Sequence, residues 1–137
     1  MAPIYLQAPA ESEPPELENC PSRVVLVAEQ ICSDEWRSRV CSWLLRAGCL
    51  YFMSWGINAE EWHDAVDEAN LKEFNFGKIP EGRFVMTTWH HDEPLREVFW
   101  FAKLNAFHST VTLERTLILH VSAEDKFEDV GALYVEA

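Results

Sequence analysis

The sequence predicts a single α/β domain in which helices flank a mainly parallel sheet. Four apolar or β-branched runs are present, and each run is followed by a segment with helical periodicity. Such alternation favours helical crossovers between parallel strands. The chain has 137 residues, of which 48% are hydrophobic, and this fits one core rather than two. We therefore expect a three-layer domain with four strands and a flavodoxin-like or Rossmann-like architecture.

The N-terminal residues differ in composition from the rest. Residues 1–22 concentrate proline and glutamate and show no sustained period, which favours a flexible tail. Residues 23–137 are accordingly assigned to the α/β domain. Ile4, Tyr5 and Leu6 are the exception, because these apolar side chains could dock on the domain or on a partner.

The first half of the domain predicts two strand–helix pairs. The run VVLVA predicts a buried strand over residues 24–29, and Ser33 then predicts a capped helix that Gly48 ends. The run CLYFMSW predicts a second strand over residues 49–55. Asn58, with a glutamate three residues later, resembles a capping box and predicts the start of the second helix.

The second half repeats the pattern. A third strand is predicted over residues 83–90, and we expect it at the centre of the sheet because both of its faces are apolar or β-branched. Pro94 predicts a helix that starts near residue 93. The run TLILHV predicts a fourth strand over residues 114–121, and a short amphipathic helix follows it.

The helix after Pro94 is apolar over an unusually wide arc. Trp100 and Phe101 add to the ordinary buried stripe of this helix. The helix is therefore either deeply buried or half of an interface, and these two residues are the candidate interface anchors.

Ionisable side chains follow the predicted strands at their carboxyl ends, which is where open α/β sheets bind ligands. A flavodoxin-like order would make the first, third and fourth predicted strands neighbours and would bring these side chains together. Imidazole and carboxylate groups can perform acid–base chemistry or bind zinc or iron. The candidate catalytic residues are Glu29, His90, His91, Asp92, Glu93 and His120, and the candidate ligands of a divalent metal are His90, Asp92 and His120.

A structural interpretation explains the same residues. Asp92 or Glu93 would cap the following helix, one histidine would bond a carbonyl or carboxylate, and His120 would end a strand at the rim. The spacing matches no known ligand signature, and the glycine-rich phosphate loops and the nucleophile elbow are absent. No cofactor is therefore expected, and a divalent metal is the alternative.

Charge limits the classes of partner. The 11 basic and 23 acidic residues give a formal charge of −12, which repels phosphate backbones and anionic lipids. We expect no nucleic-acid or membrane partner. The sequence has no apolar run of membrane-spanning length and no signal-peptide pattern, which predicts a cytoplasmic protein. The four cysteines are expected to be reduced thiols because they lack metal-site spacing.

One segment resembles a known family. The sequence TTWHHDEPLREVFWFAKLNAF, with TLILHVS after it, resembles a family of short, uncharacterised bacterial α/β proteins that share a W-H-x-x-E-P-L motif before an aromatic helix. The resemblance covers residues 83–122. It implies a bacterial protein in which the motif residues matter, and it supplies no catalytic role for any of them.

Two classes of function remain open. The first is a non-enzymatic acidic protein-binding module, an adaptor or inhibitor, with a basic protein partner and an aromatic anchor on the third helix. The second is a small enzyme or metal-binding protein that uses the histidine and carboxylate cluster at the carboxyl edge of the sheet.

Overall fold

A computed structural model describes residues 2–137 and shows a five-stranded, entirely parallel sheet between two pairs of helices. The order of the strands across the sheet is β1-β5-β2-β3-β4. In chain order the elements are β1 (Ile4–Gln7), β2 (Ser22–Ala28), α1 (Asp34–Arg46), β3 (Cys49–Gly56), α2 (Ala59–Glu73), β4 (Met86–His90), α3 (Leu95–Leu104), β5 (Arg115–Val121) and α4 (Phe127–Glu136).

The α/β class and the parallel sheet flanked by helices are confirmed, but the count of four strands is wrong. The fifth strand is β1, which pairs with β5 at one edge of the sheet. The prediction of a flexible tail over residues 1–22 is therefore wrong for Ile4–Gln7. Tyr5 and Leu6 pack against opposite faces of the sheet, as alternation along a strand requires. The strand was missed because it is only four residues long and proline-rich sequence follows it.

Each face of the sheet carries its own core. On one face, α1 and α2 pack together, with Trp36 edge-to-face on Trp62 at 6.0 Å between ring centroids. On the other face, α3 and α4 pack together, with Phe99 against Tyr134 at 5.4 Å. The helix α3 must lie on the second face because it carries the chain from β4 back across the sheet to β5.

The third predicted strand lies at an edge rather than at the centre. It begins at Met86, later than predicted, because residues 81–83 form a 3-10 turn. Its two apolar faces are explained by helices on both sides, since Trp89 packs against His63 of α2 and His90 packs against Phe101 of α3. The flavodoxin-like order is also wrong, because β2 and β3 separate β5 from β4.

The helix starts were predicted with mixed success. Ser33 caps α1 as expected, and its hydroxyl oxygen accepts from the Trp36 N–H at 3.2 Å. The capping box at Asn58 is wrong, because this residue adopts a left-handed φ of 56° and makes no capping bond. Pro94 precedes the first residue of α3, and Glu93 bonds to His90 rather than capping the helix.

Residues 8–20, which we call the strap, connect β1 to β2 and run along α1. The strap begins beside the sheet, where the Ala8 N–H donates to the His120 carbonyl at 2.8 Å. It ends at the buried guanidinium of Arg115, which donates to the carbonyls of Glu18 at 2.7 Å and of Ala47 at 2.8 Å. The strap is therefore fastened to the domain at both ends.

Candidate functional site

The candidate site residues fall into two separate groups at the carboxyl edge of the sheet. His120 lies on β5 and His90 lies on β4, so three strand spacings, about 14 Å, separate the two histidines. The prediction of a single cleft is wrong, and His90, Asp92 and His120 do not come together as metal ligands. Within residues 2–137, no three His, Cys, Asp or Glu side chains are grouped so as to hold a metal ion.

The first group is built around His120, whose side chain is fully buried. The Tyr5 hydroxyl lies 2.7 Å from its Nδ1, and the Glu29 carboxylate bonds to its Nε2. The Lys126 backbone N–H lies 3.0 Å from the Tyr5 oxygen and can only donate. Because the Tyr5 oxygen already accepts this bond, we assign its own proton to the bond with Nδ1, which leaves the Nε2–H to donate to Glu29.

The surroundings of this group keep its hydroxyl protonated. Burial raises the pKa of Tyr5 above its ordinary value, and the bond from the Lys126 N–H offsets part of this effect. At the other end, the half-exposed Glu29 carboxylate lies 3.8 Å from the Lys126 ammonium group. The group lies between the neighbouring strands β2 and β5. The helices that follow these two strands pack on opposite faces of the sheet, so this position is the topological switch point of the sheet.

The second group is built around His90. Its Nδ1 lies 2.5 Å from the Glu93 carboxylate, and its Nε2 lies 2.9 Å from the Thr88 hydroxyl. The Trp55 indole N–H donates to the Glu93 carbonyl at 2.7 Å. Together with the packing of His90 on Phe101, these bonds hold the start of α3 against β3 and β4.

His91 and Asp92 belong to neither group. Their side chains are 78% and 85% exposed and lie 3.2 Å apart in a turn where Asp92 has a φ of 61°. Of the six candidate residues, Glu29 and His120 are therefore together, and His90 and Glu93 are together.

Both groups have the order hydroxyl, imidazole, carboxylate. In this order the carboxylate orients the ring, and the ring can accept the hydroxyl proton. Here both nitrogens of each ring are already bonded within the protein. A cavity of about 970 Å³ opens at the opposite edge of the sheet, beside Gly48, Cys49 and Val85. The bonds of the two groups fasten β1 to β5 and the start of α3 to β4.

The outer side of α3 and α4, which we call the α3–α4 face, carries exposed apolar side chains. Val98, Phe99 and Ala102 bury the inner side of α3, while Trp100 and Leu104 are 52% and 55% exposed on its outer side. These two residues are one helical turn apart and are neighbours on the surface. Phe127 and Val135 of α4 are also exposed. By contrast, Phe101 is half-buried against Tyr51 and His90.

Acidic residues outnumber basic residues on the elements that form this face. Helix α3 and residues 124–136 together carry six acidic and three basic residues, a formal charge of −3. The three bases are engaged: Arg96 and Lys103 donate to carbonyls at the end of α4, and Lys126 approaches Glu29. The acids are Glu97, Glu124, Asp125, Glu128, Asp129 and Glu136, and all six are exposed.

Sequence reasoning missed Tyr5, Thr88 and Lys126 as members of the two groups. The short apolar run Ile4–Leu6 was a hint for Tyr5, but it is too short to show a period. Thr88 could have been found because it lies two residues before His90 and therefore on the same face of β4. Lys126 enters through its backbone N–H, for which side-chain chemistry gives no signal.

The fold and these groups define a parallel α/β protein with two internally bonded imidazole groups and a helical face that is apolar and net acidic. The chain belongs to the family described as domain of unknown function (DUF7684), whose model matches residues 3–137. The match includes β1 and the strap. Within residues 2–137, no helix has the length and apolar character needed to cross a membrane.

Among solved structures, the chain is similar to one titled "Crystal structure of an hypothetical protein". The two chains are 10% identical, the alignment covers 88% of this chain and 72% of that one, and the TM-score is 0.41. A comparison with the curated proteins gives no match.

Proposed function

We propose that the protein is a non-enzymatic, acidic protein-binding module, of the adaptor or inhibitor kind, whose α3–α4 face binds a basic, amphipathic segment of a partner protein. The observation that carries this proposal is the pair of half-exposed residues Trp100 and Leu104 on the outer side of a helix whose inner side already fills a core. A helix that is apolar on both sides normally buries both.

Charge selects the partner. Helix α3 and residues 124–136, which form this face, carry a formal charge of −3 within a chain of net charge −12. A second copy would bring like charges together, whereas a basic segment would be attracted and would speed the encounter. The apolar side of that segment would cover Trp100, a residue type that often dominates binding energy. A bacterial, cytoplasmic setting and the W-H-x-x-E-P-L resemblance remain predictions.

The test uses a synthetic helical peptide that alternates lysine and leucine at amphipathic spacing, with a glutamate–leucine peptide as its charge control. We expect the basic peptide to bind, and Trp100→Ala to weaken binding about 30-fold, the effect of losing about 2 kcal/mol at a central aromatic anchor. Affinity should also fall between about 50 mM and about 300 mM salt because screening weakens charge attraction.

Two matched variants separate a specific site from general attraction to an acidic protein. Trp89→Ala removes a tryptophan that is 45% exposed on the opposite side of the sheet, and it is the control for Trp100→Ala. Ile31→Ala removes an exposed aliphatic side chain, and it is the control for Leu104→Ala, a second substitution on the α3–α4 face. These control variants should bind as well as the unaltered protein. An equal loss of peptide affinity in Trp89→Ala and Trp100→Ala would contradict the proposal.

A small enzyme is the second candidate, and the Tyr5–His120–Glu29 chain at the switch point is the observation that favours it. In that case a panel of small ester substrates should show turnover that Glu29→Gln removes. The melting temperature must show that this variant still folds. The absence of turnover in the unaltered protein, together with peptide binding at Trp100, would leave the binding proposal standing.

A further inference from the structure

The strap is held to α1 by two tryptophan side chains. The Trp36 indole N–H donates to the Ser12 carbonyl at 2.5 Å, and the Trp43 indole N–H donates to the Pro15 carbonyl at 2.9 Å. The two donors are seven residues apart on one side of the helix. The two acceptors are three residues apart, where the strap leaves a turn that the Ser12 N–H closes on the Pro9 carbonyl. Indole donors and proline-segment carbonyls are the elements by which aromatic grooves bind proline-rich peptides.

The spacing of these bonds fits such a groove. Seven residues of α-helix rise about 10.5 Å. Three residues of polyproline helix, which is one full turn, rise about 9.3 Å, so carbonyls three residues apart face the same way. An extended chain with a polyproline repeat can therefore offer one carbonyl to Trp36 and the next equivalent carbonyl to Trp43.

The chemistry of the two surfaces is complementary. Pro14 and Pro15 lie against Trp43, and shallow depressions on either side of this contact are lined by Arg39 and Arg46 of α1. The strap carries four glutamates over the same length, and Leu17 packs into the core at its end. The Glu11 carboxylate also accepts a hydrogen bond from the Ser33 N–H at 2.7 Å.

We propose that this surface of α1 is a docking groove for an acidic, proline-containing extended segment of another protein, and that the strap is its built-in competitor. The groove is defined by Trp36, Arg39, Trp43 and Arg46. Its contacts with the strap go largely to backbone carbonyls, and another chain with prolines and acids at the same spacing can supply these. The inference is independent of the α3–α4 face.

Competition by the strap determines how tightly an added peptide binds. A tethered segment acts at an effective concentration on the order of millimolar, so it weakens binding of the same segment added in solution. Weakening the strap should therefore strengthen binding of an added peptide, without any change in the groove itself.

The probe is a labelled peptide with the sequence of residues 8–19, APAESEPPELEN, added to the full chain. It should bind the Pro14→Gly, Pro15→Gly double variant about tenfold more tightly than the unaltered protein, because flexible glycines weaken the competing strap. Glu11→Gln is a milder weakened form, for which we expect about a threefold gain because a neutral amide oxygen accepts from the Ser33 N–H more weakly than the carboxylate does.

In either weakened form, Trp43→Phe should reduce peptide affinity about tenfold because it keeps an aromatic side chain but removes the indole N–H donor. Trp89→Phe is the matched control and should have no effect. A probe in which the prolines equivalent to Pro14 and Pro15 are replaced by alanine should bind more weakly.

Three results would overturn the proposal. The first is equal binding of the peptide to the unaltered and weakened chains. The second is equal affinity with and without the Trp43 indole. The third is dimerisation of the weakened chain by exchange of straps, which would assign the groove to a second copy. If the proline variant does not fold, the Glu11→Gln protein decides the question in the same way.

Discussion

Tyr5→Phe is the sharpest test of how β1 is fastened. The substitution keeps the ring, which packs on Phe127 at 5.7 Å, and removes only the hydroxyl. The Nδ1 of the fully buried His120 then loses its hydrogen-bond donor, while the half-buried Lys126 N–H can still reach water. The change therefore acts mainly through one buried imidazole nitrogen.

The expected loss follows from that nitrogen. A buried polar group without a partner costs about 1–3 kcal/mol, so we expect the free energy of unfolding to fall by about 2 kcal/mol. For 137 residues at about 2.1 cal/mol/K each, the unfolding entropy is about 0.3 kcal/mol/K, and the melting temperature should fall by about 7 °C.

The assay is thermal unfolding followed by circular dichroism, with urea titration as the second probe. Tyr51→Phe is the matched control, because within residues 2–137 the hydroxyl of Tyr51 has no hydrogen-bond partner, and this variant should melt within about 1 °C of the unaltered protein. Equal melting temperatures for the two variants would show that the Tyr5–His120 bond does not hold β1. A second reporter is the imidazole nitrogen spectrum of His120, which should show a proton on Nε2.

The other predictions concern titration and thiol reactivity. The hydrogen bond from the Ser33 N–H holds the pKa of Glu11 below its ordinary value. The contribution of this ionised carboxylate to stability is therefore present above the unfolded-state pKa and is lost as pH falls through the folded-state pKa. Urea titrations of Glu11→Gln should accordingly show destabilisation at neutral pH that vanishes at low pH; a constant difference would contradict this. Burial raises the pKa of Cys49 to about 12 and that of Cys41 still further. Neither thiol should therefore react with Ellman's reagent at mildly alkaline pH until urea unfolds the chain. The half-buried Cys20 should react first.

The architecture was predictable wherever one segment carried its own signal. Apolar runs bounded by helical periodicity located β2, β3 and β5, and Ser33 marked the start of α1, because each of these depends on neighbours in sequence. β1 lacks such a signal: four residues cannot show a period, and they are stable as a strand only because β5 offers them an edge.

Strand order was not readable, and the error in the candidate site followed from it. Two apolar faces made β4 look central, but the same pattern arises at an edge that two helices cover. With β4 at the edge, His90 and His120 separate, although both remain at the carboxyl edge that the sequence predicted. The histidine partners Glu29 and Glu93 were among the candidates, whereas the Tyr5 hydroxyl depended on a tertiary contact.

The strap shows a third kind of limit. Its proline and glutamate content is typical of a disordered segment, since it has few apolar groups to offset the entropy of ordering. Its docking instead uses its backbone carbonyls, as acceptors for Trp36, Trp43 and Arg115. Composition describes side chains and so gives no signal for such contacts.

The binding proposal is tested most directly by following the six tryptophan indole N–H signals in a nitrogen–proton correlation spectrum while the lysine–leucine peptide is added. The proposal predicts that the Trp100 signal shifts first and most, that the shift weakens at high salt, and that the buried Trp36 and Trp62 signals stay in place. A largest shift at Trp89 or Trp43, or no shift at Trp100 at saturating peptide, would contradict a partner site on the α3–α4 face.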